Sequence, residues 1–181
     1  VALLLARTAA AQTPTPTVIP PTFSFGEARF YGVGSEPVAV AAGRFDSNAS
    51  LDLIVVNYGA DSVTQLTNDG TGRFNRFGTD ALVGTDTFPA WVAKIARDEE
   101  AKDEFIVVRD PTESEDPEGD FFGRAVTYRA GTFQPLNNDR VGEGPVFVRT
   151  GVDVNADGRE DAVVANSFGD TLSLLLNRPN I

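Results

Sequence analysis

The 181-residue sequence contains no cysteine, no histidine and no methionine. Without cysteine there is no disulfide, no thiolate zinc site and no thiol nucleophile. Without histidine the commonest general base and transition-metal ligand is missing, and with it every Ser-His-Asp or Cys-His arrangement. Basic residues are also scarce. Fifteen Lys and Arg face 26 Asp and Glu, for a net charge of −11, so a phosphate surface would repel the chain and neither nucleic acid nor an anionic membrane suits it as a partner. Cations suit it better. The apolar run Val1-Ala-Leu-Leu-Leu-Ala6 is too short to cross a bilayer. The absence of Met even at position 1 suggests a start inside a longer reading frame or a non-standard start.

What the chain has in quantity is 13 Phe with many Val, Leu and Ala, punctuated by 17 Gly and 11 Pro. That spacing of breakers favours short strands over long helices, in one core or a few units of a repeat array. Residues 1–11, in which the apolar run gives way after Arg7 to Thr8-Ala9-Ala10-Ala11, read as the remnant of a secretory signal peptide. Residues 12–22, Gln-Thr-Pro-Thr-Pro-Thr-Val-Ile-Pro-Pro-Thr, read as an extended Pro/Thr-rich linker. Folded structure is expected from Phe23 onward. Eleven of the acidic residues lie between Asp98 and Asp120, a density expected of a solvated loop.

Laid on itself, the sequence repeats. The stretch Leu51–Asn68 aligns without a gap on Glu160–Asn177, and Asp52/Asp161, Val55/Val164, Asn57/Asn166, Asp61/Asp170, Leu66/Leu175 and Asn68/Asn177 are identical. Upstream, Pro37-Val38-Ala-Val40 matches Pro145-Val146-Phe-Val148. A weaker copy lies between, from Phe88-Pro89-Ala-Trp91 through Glu104-Phe105-Ile-Val-Val108 to Arg124–Tyr128. Runs such as Leu53–Val56 and Ala162–Ala165 have no polar face and should be buried on both sides, whereas Ser62–Leu66 and Thr171–Leu175 alternate as edge-proximal strands do. Four short strands per unit of about 50 residues make a propeller blade. The expected fold is all-β, with about three four-stranded antiparallel blades over roughly 23–77, 78–134 and 135–181, an incomplete propeller. The third unit stops before its outermost strand. Phe25–Tyr31 looks like such a strand with no blade before it, so self-association could complete the ring.

The succession Pro-Val-x-Val, an Asp/Asn/Gly loop, Asp-Leu-x-Val-Val-Asn and Gly-x-Gly-x-Phe resembles the FG-GAP/VCBS repeats of integrin α-chain propellers and many bacterial surface proteins. The resemblance covers Phe23 to Asn177 and is weakest in the second unit. It implies a secreted, extracellular or periplasmic β-propeller.

In Asp153-Val-Asn155-Ala-Asp157-Gly158-Arg159-Glu-Asp161, oxygen side chains recur at the first, third, fifth and ninth positions, with Gly at the sixth. Ca²⁺ takes six to eight oxygens, and a tight turn lets alternate side chains converge while a backbone carbonyl, here that of Arg159, adds another. Position twelve is Val164, within a strand, so the loop is not an EF-hand. The alternative is an Asx-rich turn that caps a hairpin without metal. In the first unit, Arg44–Asp52, the first ligand is Arg and the turn Gly is Ala49. Either calcium binds weakly through Asp46, Asn48 and Asp52, or the Arg44 guanidinium pairs with those groups instead. The second loop, Ala96–Glu104, keeps acids at its third, fifth and ninth positions but lacks the first ligand and the Gly.

No pair of carboxylates stands out for glycoside hydrolysis, and no enzymatic activity is assigned to the chain. The expectation is a non-catalytic, calcium-binding recognition or scaffold module whose ligand is an extracellular protein or glycan. The alternative is an ancillary propeller of a secreted enzyme acting on polysaccharide or another polymer, with its catalytic part elsewhere.

Overall fold

The computed structural model describes residues 24–84, 87–96, 102–111, 119 and 121–178. The chain divides into two compact units, Val1–Phe30 and Tyr31–Ile181. The signal-peptide and linker readings, on residues 1–22, lie outside the described residues. The described part of the first unit, 24–30, forms no strand. The expected strand over Phe25–Tyr31 is therefore corrected: a strand needs a hydrogen-bonding neighbour, and Phe25 and Phe30 are fully exposed.

The second unit is all-β. Its first sheet holds β1 (Pro37–Gly43), β2 (Asp52–Asn57), β3 (Ser62–Asn68) and β4 (Phe74–Arg76) in sequence order, and β5 (Ala81–Leu82) also pairs with β3. The second runs β6 (Trp91–Ile95), β7 (Glu104–Arg109), β8 (Phe122–Tyr128) and β9 (Pro135–Glu143). The third holds β10 (Pro145–Val152), β11 (Asp161–Asn166) and β12 (Thr171–Leu175), with no fourth strand among the described residues. Every pairing is antiparallel, as expected where short turns join successive strands. Because β9 pairs with β8, the second blade extends past residue 134 and the third begins at Pro145.

The blades stack by a repeating rule that follows from the two-residue period of a strand. In β2, Ile54 and Val56 point toward the second blade, where they join Val63, Val92, Phe105, Val107, Val126 and Tyr128 in one core. In β7 the aligned Ile106 and Val108 point the other way from Phe105 and Val107, and pack with Ala125, Val141, Val148, Ala162 and Val164 in a second core. Each blade thus presents a front to its successor and a back to its predecessor. Fully burying a side chain such as Phe105 contributes about 1.5–3 kcal/mol, so these two cores hold the blades together.

Two expectations about the strands are corrected by their surroundings: Val163 and Ala165 of β11 are only partly buried, and of the two stretches expected to be edge-like only Thr171–Leu175 is so. Ser62–Leu66 is buried at every residue, because β3 is flanked by β2, β4 and β5 and faces the second blade. Its counterpart β12 has no outer neighbour among the described residues, and it is largely exposed.

Candidate metal centre

The Asp153–Asp161 loop joins β10 to β11 at one end of the third blade. Its turn is set by two left-handed residues, Ala156 at φ 59° and Gly158 at φ 85°. A side chain at Gly158 would be strained in that conformation. Asp153, Asn155 and Asp157 are exposed. The Asp157 N–H donates to both Asp153 Oδ1 and Asn155 Oδ1, each at 3.1 Å, so those two oxygens converge on one point. Gly158 N–H donates to Asp153 Oδ2 at 2.9 Å, and Arg159 N–H to Asp157 Oδ1 at 3.0 Å. Two cationic or donor groups also reach Asp157: Asn155 Nδ2 at 3.0 Å and Arg159 Nη1 at 3.8 Å, both on Oδ2.

Asp161 sits apart from this exposed group. It is fully buried at the start of β11, where Oδ2 accepts from Val154 N–H at 3.0 Å and Oδ1 from Asn177 N–H at 2.9 Å. Asp52 does the same in the first blade, accepting from Phe45 N–H at 3.1 Å and Asn68 N–H at 2.8 Å, also with no exposure. The repeated Asp therefore ties the entering loop to the end of the next strand. The exact repetition of Asp and Asn at these places was the signal available in the sequence.

In the first loop Asp46 Oδ1 accepts from Asn48 N–H and Oδ2 from Asn48 Nδ2, both at 2.8 Å. Asn48 also donates to the Asn68 carbonyl at 3.1 Å and accepts from Ser50 N–H at 2.7 Å. Arg44 is not turned to these groups. Its Nε lies 3.9 Å from Asp103 of the second blade, and its N–H donates to the same carboxylate at 2.8 Å. The expected pairing of Arg44 with its own loop is corrected: a neighbouring blade offers a carboxylate only 7% exposed, where screening by water is weaker. One blade along, Glu160 accepts from Ala96 N–H at 3.1 Å and lies 3.6 Å from Lys94 Nζ. Ala96 and Glu160 hold the loop positions of Arg44 and Asp103, so this is a repeated clamp between blades.

Sequence reading passed over a second repeated device. Asn57 Nδ2 donates to Ser62 Oγ at 3.1 Å and Thr64 Oγ1 at 3.0 Å, and Asn166 Nδ2 to Thr171 Oγ1 at 3.1 Å and Ser173 Oγ at 3.0 Å. A Cβ on Gly34 or Gly142 would come within 2.6 or 2.5 Å of these amides, so each is packed flat on glycine backbone. Both glycines stand three residues before the blade-opening proline.

Among the described residues no three Asp or Glu carboxylates gather into one metal-binding group. A cation at the third loop would thus be held by a mixed set, the carboxylates of Asp153 and Asp157 with the Asn155 amide oxygen and main-chain carbonyls. Hard oxygens of this kind suit Ca²⁺. In the second loop, residues 97–101 lie outside the described residues, as do 112–118 and 120 of the acidic insertion. Beside that insertion, burial raises the Asp110 carboxyl above its usual range. No protein-family model, curated protein or solved structure matches the chain.

Proposed function

We propose that this chain is a secreted, calcium-binding propeller-repeat module that serves in recognition or scaffolding and is not itself a catalyst. The observation that carries the reading is the convergence of the exposed Asp153 and Asn155 oxygens beside Asp157, on a turn made by Gly158. Asp153, Asn155 and Asp157, with the Arg159 carbonyl, are the groups that would hold the ion, while the buried Asp161 anchors the loop behind them. Bound calcium would offset the repulsion between Asp153 and Asp157 and stiffen the loop at the blade end. The loops, carried on rigid strands, would then present a protein or glycan ligand with a fixed surface. The sequence of residues 1–11 supports export.

Calorimetric titration of calcium into chelator-stripped chain tests the reading. One site's worth of heat and a higher melting temperature are expected. No heat together with an unchanged melting temperature would overturn it.

A further inference from the structure

The repeated asparagines at the ends of β2 and β11 each carry one buried atom that the protein leaves unbonded. Asn57 has no exposure and Asn166 only 3%. Their Nδ2 atoms are taken up by hydroxyls of the neighbouring strand, but Oδ1 of each is closed off from solvent and has no hydrogen-bond partner among the described residues. A carbonyl oxygen buried without a donor has given up its bond to bulk water and gained none, so such atoms are rare in folded chains. Two of them at one aligned position belong to the repeat itself.

Turning the amides over does not satisfy them. Thr64 Oγ1 gives its hydrogen to Asp80 Oδ1 at 2.6 Å, so toward Asn57 it can only accept, and the group facing it must be Nδ2. In the third blade Asn166 Nδ2 also reaches the Thr171 carbonyl at 3.3 Å, and a carbonyl only accepts. Different neighbours thus fix the same orientation in both blades. The glycine backbone that lies on each amide packs most closely on Cγ and Nδ2, at Gly34 and at Gly142 alike, so it covers the nitrogen and not the oxygen. The groups bonded to each amide are hydroxyls and a carbonyl, all neutral. Such a setting does not suit Ca²⁺, which takes six or more oxygens. It suits a small neutral donor.

We propose that one buried water molecule donates to Asn57 Oδ1 in the first blade and another to Asn166 Oδ1 in the third, each bridging to the main chain of the segment that enters the blade, residues 34–36 or 142–144. Water can reach an oxygen closed to larger groups, and folded proteins hold about one buried water per 27 residues, each on otherwise unsatisfied polar atoms. The entering segment already runs beside the turn: Tyr58 N–H donates to the Glu36 carbonyl at 2.9 Å and Ser167 N–H to the Gly144 carbonyl at 2.8 Å. The water adds a second tie at that end of the strand, opposite the Asp-rich loop. The second blade differs. Its aligned residue is Arg109, whose Nη1 donates to the Asp110 carbonyl at 2.8 Å. With no carboxamide oxygen at that place, no water of this kind is held there. The inference does not rest on calcium.

A crystal structure of the wild-type chain at a resolution that shows ordered water tests it. One water is expected at about 2.7–3.2 Å from Oδ1 of each asparagine, with a main-chain partner in the entering segment, and none at Arg109. A protein donor bonded directly to either oxygen would overturn the proposal, as would a metal ion in that place or no density at either asparagine. Magnetic relaxation dispersion of the water oxygen counts long-lived buried waters in solution. Asn57→Leu and Asn166→Leu, each shown to be folded by circular dichroism, should lose one such water apiece, and the double variant two. A count unchanged from wild type in a folded variant would equally overturn it. Should either variant fail to fold, the wild-type crystal structure decides alone.

Discussion

The loops Arg44–Asp52 and Asp153–Asp161 occupy the same place in two blades and share the same buried anchor, yet they differ in charge and backbone. Asp52 and Asp161 each hold two backbone N–H groups at matching sequence separations. Around that anchor the third loop turns through Ala156 and Gly158 in left-handed conformation, and the first loop has no left-handed residue. That is why Ala49 can replace the glycine. The third loop also adds Asp153, where the first has Arg44, directed to the neighbouring blade. The anchor belongs to the fold, and the positions around it are where the two loops differ in charge and backbone.

The strongest way to break this comparison is to remove the anchors. Asp52→Ala and Asp161→Ala should each destabilise by about 3 kcal/mol, since two buried N–H groups lose a charged acceptor. Denaturant melts of the calcium-free chain should show similar losses for both; a loss confined to Asp161→Ala would mean that only the third loop depends on its aspartate. Calcium gives the next largest contrast. A saturating excess of about 100-fold over Kd should stabilise the wild type by about 2.7 kcal/mol, and this gain should vanish in Asp153→Ala but persist in Asp46→Ala. Loss of the gain in both would place calcium in both loops.

Smaller effects sharpen the picture. Arg44→Ala should cost less than about 1 kcal/mol, because the guanidinium is half exposed and its backbone N–H keeps the bond to Asp103. A larger loss in thermal melts would make the ion pair, not the backbone bond, the clamp between blades. Asp110 offers a test outside both loops. Burial raises its folded pKa, so the charged form is penalised in the fold at neutral pH and the penalty fades as pH falls through that raised value. Asp110→Asn should therefore raise the melting temperature slightly at neutral pH, and the advantage should disappear in acid. A gain that is constant with pH would assign the effect to something other than charge.

Much of the fold was legible because its determinants are local. Leu53–Val56 and Ala162–Ala165 are apolar throughout, and both became central strands, with Asp and Asn marking where loop and strand meet. The Asp153–Asp161 loop was legible as a pattern of oxygens, but the division within it was not. Nothing in the spacing distinguishes the exposed Asp157 from the buried Asp161, because burial depends on Asn177, sixteen residues away across the sheet. Asn57 and Asn166 were seen only as identities in an alignment, since their hydroxyl partners come from the neighbouring strand.

By itself the sequence determined the all-β class, the repeat, its unequal loops and the exclusion of thiol and imidazole chemistry. Each rests on residue type and short-range period. Only the tertiary structure decided that Arg44 reaches across to Asp103, that β9 belongs to the second blade, and that Phe25–Tyr31 forms no strand over its described residues. Those outcomes depend on which surfaces meet, and strands of similar composition become buried or exposed according to whether a neighbour covers them. The buried Ser62–Leu66 of β3 and the largely exposed Thr171–Leu175 of β12 are one pattern in two surroundings.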